Sequence, residues 1–329
     1  MTTRREREQQ VVVEGRVVAD FGRECLVEMA DRRQIVCTRK GRKQDAACGD
    51  FVDVRLTGSA QGSIERVGTR RNILFRSDQW KEKTLAANVD QAVILLAPKP
   101  VFSEAFLNLS LVACEAAGIP AIIALNKSDL PEHAESRRSL DAWEKIGYTV
   151  ISMSAKFDTA ALLPLLEDKI TLLVGQSGMG KSRTVNALVM NEVARVGEIS
   201  ASLGIGTHTT TFSRMFRLDR DAAIIDTPGF QSFGLFHLTE GQIAEAMREF
   251  GPWLGACKFN DCVHLTEPVA PSSRPRERVP FPPSACPSTR CSSSSTGSCT
   301  TSTPTGRASC PLYDRCSRGG GETGSRSHQ

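Results

Sequence analysis

The chain has 329 residues, 40% hydrophobic and 24% charged, which is apolar material for more than one core and argues for two domains or more. No apolar run approaches the ~20 residues that cross a bilayer. The N-terminal MTTRREREQQ has no apolar segment behind its charges, so neither a membrane span nor a signal peptide is expected, and the reading is a cytoplasmic monomer.

The net charge of +4 is the residue of an uneven distribution. Residues 1–76 carry 16 Lys and Arg against 11 Asp and Glu, residues 77–268 carry 17 against 23, and residues 269–329 carry 8 against 3. A basic front module on an acidic middle suggests that the front meets a polyanion while the middle does other work. Of the 11 cysteines, Cys25, Cys37, Cys48 and Cys114 stand singly among apolar residues and read as core thiols.

Residues 10–76 contain five short β-type runs, VVVEGRVVADF, ECLVEM, RQIVCT, DFVDVRL and GSIERVGTR, separated by Gly and charged turns. This punctuation predicts a small all-β barrel of the OB type spanning 1–76. Its most basic segment, Arg39 to Lys43, falls between strands, where such barrels touch nucleic-acid phosphates.

After Arg76 the pattern becomes strand, helix, strand. Gln91 to Pro98 is a near-continuous apolar run of the kind buried on both faces. Ser103 can cap a helix through Ala117, ended by Gly118 and Pro120. Ala121 to Leu125 is the next strand, Glu135 to Lys145 a helix closed by Gly147, and the stretch after Tyr148 a third strand. The alternation predicts a parallel α/β sheet over 77–236, whose ligand sits at the carboxyl ends of the strands.

Motifs stand at those ends. In Asn126-Lys127-Ser128-Asp129, a rigid Asp129 carboxylate can accept from both the ring N–H and the exocyclic amino group of guanine, a pair of donors that adenine lacks. The Lys127 stem would lie along the base, and Asn126 would tie neighbouring loops. The backbone of Ser154-Ala155-Lys156 would reach the base carbonyl. Thr171 to Val174 is a short strand running into Gly175-Gln176-Ser177-Gly178-Met179-Gly180-Lys181-Ser182, with Arg183 opening the helix behind it. This is a phosphate loop in its required context: backbone N–H groups and a helix N-terminus converge on an anion, Lys181 reaches the β and γ phosphates, and Ser182 ligates Mg²⁺.

Further on, Gly204 to Thr211 is a Gly-flanked polar stretch in which Thr210 could ligate Mg²⁺ and sense the γ phosphate as a first switch. The strand Ala222 to Asp226 ends in Asp226-Thr227-Pro228-Gly229, where Asp226 would hold Mg²⁺ through water and the Gly229 N–H would meet the γ phosphate. Phe230 stands where many GTPases place a water-orienting Gln, so unassisted hydrolysis should be slow. His208 is the candidate for completing that task, with Gln231 a weaker substitute.

The base-reading motifs precede the phosphate loop, the reverse of the usual GTPase order, so the chain reads as a circularly permuted GTPase. With the barrel, Arg71-Asn72, Leu85-Ala-Ala-Asn-Val-Asp-Gln91, His208-Thr-Thr-Thr211 and Asp226-Thr-Pro-Gly229, it resembles the RsgA/YjeQ family of small-ribosomal-subunit biogenesis GTPases from about residue 10 to Pro268. The resemblance implies binding of the small subunit and its rRNA late in assembly, with weak GTP hydrolysis stimulated by the subunit. The other readings are an RNA-binding assembly factor with little turnover and a permuted GTPase of the large subunit.

Residues 237–268 would form a partial helical zinc-type module. Thr239 and Gln242 make a capping box for a helix to Phe250. Cys257, Cys262 and His264 have the spacing of structural zinc, which takes four ligands. The family's fourth ligand, a Cys, falls at Ala270 here, with Cys286 a distant substitute. From residue 269 the chain holds 14 Ser, 8 Pro and 8 Arg in 61 residues, with no Lys, Ile or Met. Such a segment has little to bury and reads as a disordered, aberrant tail, expected from a reading-frame shift near codon 269.

Overall fold

The computed structural model describes residues 12–39, 46–77, 82–196, 212–218, 221–229 and 234–254, all within one compact unit, Met1–Thr289. The second unit, Arg290–Gln329, lies outside the described residues, as do Lys40 to Lys43, Gly204 to Thr211, Phe230, Gln231, Cys257, Cys262, His264 and Ala270.

The five N-terminal strands are β1 (Val12–Asp20), β2 (Glu24–Met29), β3 (Gln34–Arg39), β4 (Phe51–Leu56) and β5 (Gln61–Val67). They run in the order β1-β2-β3-β5-β4 and close by pairing β4 with β1. Only β3 and β5 are parallel. This is the predicted barrel. Val17, Val27, Ile35, Val54 and Ile64 alternate inward and fill it, with Cys25 and Cys37 facing each other in register. Arg39 departs from expectation. Its guanidinium turns back into the barrel, donating to Asp20 Oδ1 at 2.7 Å, to Ala46 O at 2.5 Å and to Cys25 Sγ at 3.3 Å, because this end of β3 leaves Asp20 half-buried beside it.

An unanticipated hairpin follows, β6 (Ile73–Ser77) and β7 (Glu82–Ala87), a separate two-stranded sheet. The parallel sheet then runs β8 (Gln91–Leu96), β9 (Ala121–Leu125), β10 (Thr149–Ser152), β11 (Ile170–Val174), β12 (Arg214–Arg217) and β13 (Ala223–Asp226), in the order β10-β9-β8-β11-β13-β12. Only β12 is antiparallel to its neighbour in this sheet. Every residue of β8 and β9 is buried, Gln91 included, as their near-continuous apolar runs predict. β12 also meets β1, Arg214 opposite Ala19, so barrel and parallel sheet form one continuous sheet of eleven strands.

The helices are α1 (Glu104–Ala116), α2 (His133–Ser139), α3 (Asp141–Lys145), α4 (Leu163–Leu166), α5 (Lys181–Val196) and α6 (Glu240–Ala246). Ser103 Oγ caps α1 by accepting from Phe106 N. The helix expected over Glu135 to Lys145 is two helices. Leu140 is fully buried, and its N–H bonds Arg137 O three residues back, tightening the chain at that point. The capping box of Thr239 and Gln242 is formed, but α6 stops at Ala246 and a 3-10 turn, Arg248–Trp253, replaces its expected last turn. Among the described residues no helix is long and apolar enough to cross a membrane.

Candidate nucleotide-binding site

The loops leaving β9, β10, β11 and β13 carry the predicted motifs, because parallel strands deliver their carboxyl ends to one edge. At the centre lies the loop from Gly175 to Gly180. Gly178 and Gly180 have φ of +82° and +98°, which a β-carbon would strain. Gly180 is further constrained by space, since a Cβ there would overlap Asn126 Nδ2. Ser177, Gly178, Ser182 and Arg183 are exposed at the loop's mouth, while Met179 is buried beneath it. Thr184 Oγ1, one turn into α5, donates to Gly180 O at 3.1 Å and closes the loop onto its helix.

Lys181 is only 7% exposed, and its Nζ donates to Gly175 O at 2.8 Å and Gln176 O at 3.1 Å. Burial pushes its pKa down, and the carboxylate of Asp226 partly opposes that shift. Asp226 ends β13 and is itself 4% exposed. Thr227 anchors the following turn by donating from Oγ1 to Leu173 O at 2.8 Å. Gly229 lies so close to the phosphate loop that a Cβ would sit 3.0 Å from both Ser177 Cα and Lys181 Nζ. Phosphate loop, lysine, acid and glycine are therefore one assembly.

The base-reading side is equally joined. Asn126, 2% exposed, donates from Nδ2 to Met179 O at 2.9 Å and accepts at Oδ1 from Ala155 N at 2.9 Å. It ties the loops after β9, β10 and β11, the role its position suggested. Lys127, held at φ +61°, lays its Nζ on Gly178 O at 2.9 Å and also on Lys99 O. Asp129 Oδ1 accepts from Ser154 Oγ at 2.6 Å, and that bond is the main cause of its lowered pKa. Lys156 is exposed and rests its Nζ 4.5 Å from the centre of the Phe157 ring.

Two backbone donors expected to meet the base are used within the protein. Ser154 N–H bonds Asp158 O at 2.9 Å, and Ala155 N–H is the one held by Asn126. A contact that sequence reasoning did not anticipate also builds the site. Gln176 Oε1 accepts from Ser103 N at 2.9 Å, tying the phosphate loop to the start of α1. Nothing in a glutamine's spacing signals such a contact; it follows from α1 and the phosphate loop lying at the same sheet edge.

His208 and Thr210 lie outside the described residues, as do the zinc candidates Cys257, Cys262 and His264. Among the described residues no three His, Cys, Asp or Glu side chains cluster to hold a metal. The Ser182 hydroxyl in the first turn of α5 and the Asp226 carboxylate that ends β13, the strand beside β11, offer hard oxygens of the kind Mg²⁺ prefers, beside a loop shaped for phosphate.

A family model described as RsgA GTPase matches residues 67–236. A small ribosomal subunit biogenesis GTPase RsgA of Nitrosospira multiformis is 48% identical over 255 residues, covering 77% of this chain and 82% of the relative. One of Burkholderia pseudomallei is 46% identical over 261 residues, covering 78% and 83%. Among solved structures, YjeQ from Thermotoga maritima matches with a TM-score of 0.59 at 27% identity, over 79% of this chain and 89% of that one. YloQ, described as a circularly permuted GTPase, matches with a TM-score of 0.57 at 24% identity, over 80% and 87%, a likeness of fold. With a nucleotide site whose base-reading loops come before its phosphate loop, this chain belongs to the RsgA GTPase family.

Proposed function

We propose that this GTPase binds the small ribosomal subunit and assists its late maturation, and that the subunit stimulates its hydrolysis. The observation carrying this reading is that relatives 48% and 46% identical over the aligned stretch, which covers more than four fifths of their own lengths, are named small ribosomal subunit biogenesis GTPases. A barrel of OB topology in the basic N-terminal part supports an rRNA partner. The protein acts in the cytoplasm as a monomer, with 1–76 as barrel, 77–236 as GTPase domain, 237–268 as a partial zinc-type module and 269–329 as an aberrant tail.

In the site, Asp129 reads guanine, braced by Ser154, and Lys127 lies along the base. The contact to the base carbonyl falls to Lys156 N–H, since its two neighbours are engaged. Gly175 to Gly180 cradle the phosphates, and Lys181 exchanges its two loop carbonyls for phosphate oxygens. Ser182, Asp226 and Thr210 would hold Mg²⁺, which when bound neutralises charge on the phosphates. Gly229 N–H meets the γ phosphate. His208 positions the attacking water that Phe230 cannot polarise. Cys257, Cys262 and His264 would supply three of the four ligands of a structural zinc.

The test is GTP turnover by the full chain alone, with small subunits and with large subunits. Stimulation by small subunits only, lost in His208→Ala, is expected. Equal or greater stimulation by large subunits defeats the reading, and a His208→Ala enzyme stimulated like the parent defeats the role of that residue.

A further inference from the structure

The stretch read as the first switch ends at Thr211, and the described chain resumes at Phe212 already fastened to the barrel. Phe212 packs edge-on against Phe21 in the β1–β2 turn, ring centres 5.7 Å apart and planes at 82°. Ser213 O accepts from Asp20 N at 3.2 Å, and Arg214 pairs with Ala19. At the far end of β12, Arg217 Nε donates to Glu28 Oε1 at 2.8 Å, with the Glu28 side chain buried on β2. On its other edge β12 pairs with β13, Arg214 opposite Asp226, and Asp226 lies opposite Leu173 of β11. A single row, Leu173, Asp226, Arg214, Ala19, thus crosses from the strand feeding the phosphate loop into the barrel.

β12 is four residues long and pairs with β13 throughout, but its other edge meets the barrel only at the pair of Arg214 with Ala19, so how it lies against the barrel depends on what grips its two ends there. Both grips described here come from the barrel, one aromatic and one ionic. We propose that Phe21 and Glu28 are positioning residues for GTP hydrolysis. They hold β12, and with it the neighbour of Asp226 and the point where the first switch rejoins the sheet. The barrel thereby helps set turnover as well as providing a surface for a partner. This rests on the reading of Thr210 as a ligand of the first switch.

Phe21 and Phe212 are 45% and 41% exposed, so truncating Phe21 opens no core cavity and the folded state should survive it. The experiment measures GTP turnover, GDP affinity and thermal midpoint for Phe21→Ala, Phe21→Tyr, Glu28→Arg and the double exchange Glu28→Arg with Arg217→Glu, beside Thr210→Ala. The expected result is a kcat lowered about fivefold in Phe21→Ala and Glu28→Arg, with KM and GDP affinity within about twofold of the parent. Phe21→Tyr and the double exchange restore it. An unchanged kcat in Phe21→Ala and Glu28→Arg, alongside a lowered one in Thr210→Ala, overturns the proposal and leaves the switch reading standing. A Thr210→Ala enzyme that hydrolyses like the parent overturns both. Loss of GDP binding together with kcat, not restored by Tyr or by the exchange, assigns these residues a purely structural role and also overturns it.

Discussion

Ser154 Oγ donates a 2.6 Å hydrogen bond to Asp129 Oδ1, so the carboxylate expected to read guanine is oriented before any base arrives. The bond favours the ionised form and lowers the pKa of Asp129. An ionised acceptor is what guanine needs, so GTP affinity should persist as pH falls through the ordinary carboxylate range and fail only below it. Ser154→Ala should weaken GTP binding several-fold and move that acid limb to higher pH. Titration with a fluorescent GTP analogue from about pH 2 to 7 checks both; an acid limb that does not move sinks the bracing role.

Asp129→Asn removes the acceptor pair for guanine and presents a donor to its exocyclic amino group. GTP affinity should fall by about a hundredfold or more, while xanthosine triphosphate, which carries a carbonyl at that position, gains. Competition between the two nucleotides for parent and variant measures it.

Lys181 holds two loop carbonyls while waiting for phosphate, and burial has lowered its pKa. Phosphate is attracted to the ammonium form, which is present below that depressed pKa and lost above it. Triphosphate affinity should therefore decline on the alkaline side at a lower pH than an exposed lysine would produce. Lys181→Ala should abolish that decline and lower affinity by about two orders of magnitude. Removing Mg²⁺ with a chelator should stop turnover while leaving the melting temperature of the nucleotide-free protein unchanged, since Asp226 and Ser182 keep their places without it. Isothermal titration across pH, and turnover with and without chelator, are the measurements.

Gly180 and Gly234 admit no side chain, for different ends. A Cβ at Gly180 would overlap Asn126 Nδ2 and sit at a φ of +98°, so Gly180→Ala should break the tie between phosphate loop and base loop, abolish nucleotide binding and lower stability as well. A Cβ at Gly234 would overlap Ser77 O, where β6 holds the chain through Ser77 N to Gly234 O at 3.1 Å and Ser77 Oγ to His237 Nδ1 at 2.8 Å. Backbone meets backbone there, so Gly234→Ala should cost about 2 kcal/mol of stability or more. Thermal melts beside nucleotide titrations separate the two outcomes.

Asp50 is fully buried, yet it accepts from Arg70 Nε at 2.8 Å, Arg70 Nη2 at 2.7 Å and Ala47 N at 2.7 Å where the barrel meets the rest of the chain. Truncating it leaves a partly buried guanidinium without its carboxylate. Asp50→Ala should cost about 3 kcal/mol, read from the urea midpoint; a change within error would mean the pair contributes nothing net.

The sequence was legible where a short stretch carries its own constraint. β8 and β9 announce themselves because a strand covered on both faces is almost wholly apolar, the one polar residue, Gln91, donating to Leu165 O and Thr171 Oγ1, and the phosphate loop because an anion cradle needs glycines, a lysine and a helix start at fixed offsets. It was illegible where contacts join residues far apart. The hairpin β6–β7 shows no clean alternation, and the break at Leu140 depends on that side chain finding the core. The inward turn of Arg39 depends on Asp20 across the barrel.

Composition, motif spacing and motif order were sufficient by themselves to establish a permuted GTPase behind a small barrel, because local backbone conformation and anion chemistry are encoded within a few residues. Only the folded chain decided that Ser154 braces Asp129, that Ala155 N–H belongs to Asn126, and that β1 runs against β12 to merge two sheets into one. Those pairings arise from register between distant strands, which packing sets and no local spacing records.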